Sequence, residues 1–316
     1  MPDPQTDPRI HVDAQHLRDL GAQARLLSLL PKQPARSVLN GRHASKLRGR
    51  GLDFEELRNY LPGDDIRSID WKVTARSGEP YVRVYTEERD RPALLLVDQR
   101  QTMFFGSQVY MKSVVAAEAA AIAAHRILAQ GDRIGAIVFG DDMIAEHRPQ
   151  RRPAALDRVL GSIGRANSRL GPGGHDQSAV RLDDVLQQAA KVTPTNALIA
   201  VFSDFDGLSA RTERLLAQLN AKGDLILFHV ADPTSAGLPN DLRVAISDGE
   251  LQATLDATDE TVRNKVEAAL SSRLDALYRW SRRHGFPVLP LTTAGPALGQ
   301  LMGLLGHLGT RNGGGT

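Results

Sequence analysis

Two aspartates stand where an α/β chain commonly does its chemistry. Asp98 closes the apolar run 93–97, and Asp204 follows the apolar run 197–202 inside Ser203-Asp204-Phe205-Asp206-Gly207. In open parallel sheets, ligands bind outside the carboxyl ends of the strands, where the strand order reverses. Carboxylates at that edge either form a ligand site or cap the helices that follow. Asp206, Ser203 and the arginine Arg100 are the polar residues beside them. His175 next to Asp176 offers an acid–base pair, but a histidine in a glycine-rich loop reads first as an exposed side chain, and no serine or threonine can be paired with it. Asp141-Asp142 and Asp183-Asp184 are adjacent carboxylates explained by a hairpin turn and a helix start. The chain has no phosphate-binding glycine loop, dinucleotide fingerprint, nucleophile elbow or zinc-protease helix motif.

The elements that must position these residues alternate. Apolar or alternating runs at 81–87, 93–97, 133–139, 143–147, 197–202, 224–230 and 287–291 predict strands. Helical spacing covers 108–129, 153–163, 179–190, 209–220, 259–284 and a last helix to about 308, and a small antiparallel pair is expected near 242–246 and 251–255. The pattern is that of an α/β protein with a doubly wound, mostly parallel sheet. Leu17, Leu20, Ala24 and Leu27 predict an amphipathic helix over 13–30, expected to pack on the main domain. The expected division is a disordered segment 1–12, a helix and small appendage over 13–90, the α/β domain over 91–308 and a disordered glycine-rich tail 309–316.

The densest stretch runs from Asp53 to Asp98. Pro62-Gly63 suits a type II turn, and Asp64 and Asp65 follow where a carboxylate caps a helix. Ile66, Ile69 and Val73 at helical spacing predict one short helix to about Arg76, stopped by Gly78, with Arg67 and Trp71 on one face and Asp70 beside them. The plain structural alternative is a capped helix with Trp71 in the core and local ion pairs. Upstream, 36–50 carries Arg36, Arg42, Lys46, Arg48 and Arg50 and no acidic residue. That loop could hold an anion or nucleic acid, although it lacks interleaved aromatics and is balanced downstream by Asp53, Glu55 and Glu56.

Composition limits the classes. The 316 residues are 41% hydrophobic, enough for a large core, and 39 basic against 37 acidic residues do not call for a polyanionic partner. Cysteine is absent, so thiol catalysis and disulfides are excluded. The polar, proline-rich start has no signal-peptide pattern and no run is long enough to span a bilayer, so a cytoplasmic location is expected.

The run Tyr60-Leu-Pro-Gly-Asp-Asp-Ile-Arg-Ser-Ile-Asp-Trp-Lys-Val-Thr-Ala-Arg76, followed by a strand and then Leu-Leu-Leu-Val-Asp98, resembles the signature of the bacterial family called domain of unknown function 58. That family is similar to a divergent von Willebrand factor A domain. The resemblance implies a protein–protein module, often encoded beside a MoxR-type AAA+ ATPase. It implies a partner surface that includes Arg58, Tyr60, Gly63, Asp64, Asp65, Arg67, Asp70, Trp71 and Arg76.

It also implies a place for a divalent cation, held by a first-strand Asp-x-Ser-x-Ser motif, a loop threonine and a later aspartate. Here the motif reads Asp98-Gln99-Arg100-Gln101-Thr102, and His175 falls near the loop threonine, which leaves Asp98, Thr102 and Asp204. A guanidinium about 4 Å from a divalent ion costs roughly 8 kcal/mol at an effective dielectric near 20. A millimolar site is worth only about 4 kcal/mol. Magnesium is therefore expected to bind weakly or not at all, with Arg100 bridging Asp98 and Asp204. The functional expectation is a non-enzymatic adaptor for that ATPase and a protein client. The alternatives are a metal-dependent hydrolase and an anion or nucleic-acid binder acting through 36–50.

Overall fold

The structure is a computed structural model that describes residues 7–24, 52–87, 90–142, 144–172, 180–236, 243–247, 252–256 and 260–310. The chain divides into two compact units, Lys32–Asp90 and the combination of Met1–Pro31 with Arg91–Thr316.

In the larger unit the chain enters through α1 (Ala14–Asp19) and α2 (Gly21–Ala24). Val12, Leu17, Leu20 and Ala24 are buried in the same core cluster as the central helices. The N-terminal helices thus belong with the α/β unit. Residues 7–12, expected to be loose, are fastened. The Met111 amide donates to the Arg9 carbonyl (2.9 Å), and the Val12 amide donates to Asn167 Oδ1 (2.8 Å). One buried valine and a handful of backbone bonds outweigh the polar composition of this segment. The expected helix over 13–30 breaks at Leu20, where Gly21 lies so close to the His125 ring that a Cβ would stand 2.8 Å from it; its continuation over 25–30 lies outside the described residues.

The small unit pairs β1 (Leu52–Asn59) with β2 (Tyr81–Glu87), antiparallel. The Leu61–Asp64 turn is closed by the Asp64 amide on the Leu61 carbonyl (3.0 Å), with Gly63 at φ 110, as a type II turn requires. The single predicted helix is two pieces. Asp65 caps a short 3-10 helix over Ile66–Ser68, Ile69 turns extended and bridges to Val82, and Asp70 then caps α3 (Trp71–Ser77) by accepting the Lys72 and Val73 amides. Asp70 is thus the N-cap that starts the second piece, and Gly78 at φ 80 ends it.

The main sheet contains β3 (Pro92–Asp98), β4 (Arg133–Phe139), β5 (Ile144–Gln150), β6 (Ala197–Ser203), β7 (Gly223–Ala231) and β10 (Val288–Thr292), in the order β10-β7-β6-β3-β4-β5. All neighbouring pairs are parallel except β4 with β5. The hairpin β8 (Arg243–Ser247) and β9 (Gln252–Asp256) stands apart. Helices α4 (Lys112–Ala129), α5 (Pro153–Asn167), α6 (Leu182–Val192), α7 (Ala210–Lys222), α8 (Glu260–His284) and α9 (Ala297–Thr310) flank the sheet.

Alternate residues of β3 feed the two faces. Leu95 and Val97 join the α4, α5 and α9 side, while Leu94 and Leu96 join the α6, α7 and α8 side. That is why β3 reads as an unbroken apolar run. The alanine-rich α4 is buried almost all round, which lets it approach the sheet closely. It begins at Lys112 and not at 108, because the loop before it folds back. A Cβ on Gly106 would lie 2.1 Å from the Tyr110 carbonyl oxygen. Both outer strands carry a proline, Pro149 in β5 and Pro290 in β10.

Candidate functional site

The strand order reverses between β3 and β6, and Asp98 and Asp204 stand at their carboxyl ends. Ser203 joins them: its hydroxyl donates to Asp98 Oδ2 at 2.6 Å, and its Oγ accepts the Phe205 amide at 2.8 Å. Phe205 is fully buried at φ 55, a left-handed conformation that costs a bulky residue energy and turns the chain sharply between Asp204 and Asp206.

Each carboxylate has its own cation. The Arg100 guanidinium grips Asp98 through Nε (3.0 Å to Oδ1) and Nη2 (2.8 Å to Oδ2), and the Arg100 amide donates to Oδ1 at 3.0 Å. Arg100 does not bridge to the Asp204 carboxylate; its Nη2 reaches the Asp206 carbonyl instead, at 3.3 Å. Asp204 is taken by Lys112, whose Nζ lies 2.6 Å from Oδ2. Arg273 of α8 donates to the Asp204 carbonyl and pairs with the Asp206 carboxylate. Three cations therefore face three carboxylates, and the formal charges cancel.

Burial makes these pairs consequential. Asp98 is 0% exposed and Asp204 is 3% exposed. Burial alone would raise the Asp204 carboxyl, but Lys112, with Arg273 and Arg100 behind it, holds it at about 2. Burial opposes the charge on Arg100, and Asp98 more than compensates, so its pKa is raised. Behind the pairs, His229 of β7 is buried with Nδ1 lacking a hydrogen-bond partner among the described residues, and burial presses its pKa to about 4.

Thr102 is exposed on a 3-10 turn over Gln101–Met103 and takes no part in this cluster. The reason is local: the Gln101 amide is captured by Asp141 Oδ2 (2.6 Å) and Met103 is fully buried, so the residue between them faces outward. The carboxylate oxygens of Asp98 and Asp204 are engaged by Arg100 and Lys112. A divalent ion would have to displace both Arg100 and Lys112, and among the described residues no cluster of three or more histidine, aspartate or glutamate side chains could hold a metal ion. His175, Arg42, Lys46, Arg48 and Arg50 lie outside the described residues.

Two more carboxylates brace the surroundings. Asp232, just past β7, accepts from the Ser107 amide and from the hydroxyls of Ser107, Thr234 and Thr293, tying the β3–α4 loop to the β7 and β10 ends. Burial would raise its carboxyl; the Ser107 and Thr donors bring it down to about 2. Asp183 accepts the Ser209 and Thr212 hydroxyls at the start of α7.

The signature residues of the small unit are spread over different roles. Arg58 and Asp64 form a two-pronged pair with both N···O distances at 2.8 Å, and the Leu61 amide also donates to Asp64. The Arg58 hydrogen bonds hold the Asp64 carboxyl below its ordinary value. Tyr60 is half-buried and its amide donates to the Pro80 carbonyl. Trp71 is not core: it is 65% exposed, with Leu61 at 59% and Ile66 at 62%. Arg67, Lys72 and Arg76 are exposed in the same stretch.

The profile of the family described as "Protein of unknown function DUF58" matches residues 56–275, from the small unit into α8. The chain belongs to the DUF58 family. Relatives include uncharacterized proteins of Mycobacterium tuberculosis and Mycobacterium bovis, each 28% identical over 286 residues, covering 87% of this chain and 85% of the relative. The match takes in the signature stretch and both edge aspartates of this DUF58 chain.

Sequence reasoning missed Lys112 and Arg273. Lys112 carried a faint signal, a lone cation opening an alanine-rich helix. Arg273 carried none, since α8 reaches the site only through tertiary packing.

Proposed function

We propose that the chain is a non-enzymatic protein–protein interaction module of von Willebrand factor A-like type, serving a MoxR-type AAA+ ATPase and a protein client. With the six main strands numbered 1 to 6 in chain order, the sheet runs 3-2-1-4-5-6, the doubly wound order this reading requires. The ATPase partnership rests on the family resemblance.

The observation that carries the reading is the exposed apolar group Leu61, Ile66 and Trp71 within the signature stretch. Large exposed apolar side chains among charges mark interaction surfaces, and tryptophan is the residue type most often found to dominate binding energy. The ion cluster at the sheet edge supports it from the other side. Arg100 and Lys112 supply internally the positive charge a metal ion would bring, so recognition proceeds without a divalent cation.

Affinity purification of the tagged chain from its native host, wild type beside Trp71→Ala, tests this. Retention of an AAA+ ATPase by wild type and its loss from the variant is the expected result. Equal retention moves the contact away from Trp71, and absence of any ATPase under gentle conditions ends the partnership.

A further inference from the structure

We propose that the groove walled by α1 and α5, with His147 of the edge strand β5 at its side, is a binding site for a small anion of the phosphate class. It has a volume of about 660 Å³ and is lined by Arg18, His147, Asp157, Arg158 and Arg165, with Asp13 on its wall.

The cations are distributed unevenly. Arg18 is spent on Asp157 (3.2 Å), and the Asp13 carboxylate takes the His16 amide. Arg158 and Arg165, seven residues apart and so two turns along one helix face, are held by neutral partners. Arg158 Nη2 donates to Gln150 Oε1 at 2.8 Å, and Arg165 Nη2 donates to Ser162 Oγ at 2.9 Å. Among the described residues neither forms an ion pair with a carboxylate. Two guanidiniums thus line one groove with most of their donors and all of their charge unspent, and each is the kind of group that grips phosphate oxygens in pairs.

His147 reports on that charge. Its Nε2 lies 2.8 Å from the same Ser162 hydroxyl, and burial first, then Arg158 and Arg165, push its pKa down. An anion seated between the arginines would cancel the second contribution.

The test follows the His147 ring signals of the full chain by NMR during titration with inorganic pyrophosphate. Saturable shifts and a raised His147 pKa are expected. Arg158→Gln and Arg165→Gln should each weaken binding about tenfold, the loss of one charge-assisted pair. Asp157→Asn, which frees Arg18, should tighten it. All three positions are exposed, and circular dichroism checks that the fold is kept. A phosphoserine peptide binding more tightly than pyrophosphate identifies a peptide-borne phosphate as the source; the reverse order identifies a free one. The proposal falls if sodium chloride at matched ionic strength produces the same shifts, if the double arginine variant binds pyrophosphate as wild type does, or if only an oligonucleotide binds.

Discussion

At the carboxyl edge of the sheet, Asp98 and Asp204 are buried and each holds a cation within 2.8 Å, whereas in the small unit Trp71 is 65% exposed and Arg67, Lys72 and Arg76 face solvent. One region has hidden its charge and satisfied it internally. The other displays apolar surface and charge together. A buried, mutually paired cluster contributes rigidity and costs much when half of it is removed. An exposed apolar group contributes little to stability and is available to a partner. Buried, paired charge and exposed apolar surface are thus kept in different stretches, although the signature sequence runs through both.

The largest effect that would sharpen this contrast is expected from Lys112→Met. The variant leaves Asp204 buried beside an uncharged side chain and should lose about 3–5 kcal/mol in urea unfolding. A loss under about 1 kcal/mol would mean that the edge is solvated, and the contrast would dissolve.

His229 gives the next effect. Its folded pKa of about 4 lies below the ordinary 6.5, so between those values the unfolded chain binds the proton that the folded chain refuses. Stability should therefore fall as pH drops from about 6.5 toward 4, by up to about 3 kcal/mol, and His229→Gln should flatten that part of the profile.

Arg100→Ser removes the guanidinium and places a hydroxyl beside Asp98. Magnesium at ten times its dissociation constant should then stabilise the variant by about 1 to 2 kcal/mol in thermal unfolding, with no effect on wild type. An equal effect on both proteins would show that Arg100 does not stand in the cation's place. Trp71→Ala, the smallest, should change stability by less than about 0.5 kcal/mol while abolishing partner capture. A larger loss of stability would return Trp71 to the core.

The central strands were legible because they are apolar on both faces, so β3 and β6 announced themselves as runs that lead into Asp98 and Asp204. Local caps were legible in kind but not always in position. Ile66, Ile69 and Val73 have helical spacing, yet Ile69 is extended, because the Asp70 carboxylate competes for the amides that follow and starts a second helix. Strand β1 was invisible, since Leu52–Asn59 does not alternate cleanly and takes its conformation from pairing with β2. The opposite error occurred at 7–12, where prolines and charges suggested a loose end. Lys112 and Arg273 could not be assigned to the site, because what places them there is the packing of α4 and α8 and not any spacing from Asp98 or Asp204.

The prolines on the two outer strands have a consequence for how the chain behaves in a crowded solution. An open sheet edge is a template on which a stray strand can add, and repetition of that step builds fibres. Pro149 interrupts β5 beside the register shift at Ile134/Ala136, and Pro290 removes a donor from β10. Growth is discouraged at both ends of the six-stranded sheet, so at high concentration the large unit should resist polymerisation through its edges and keep its strands to itself.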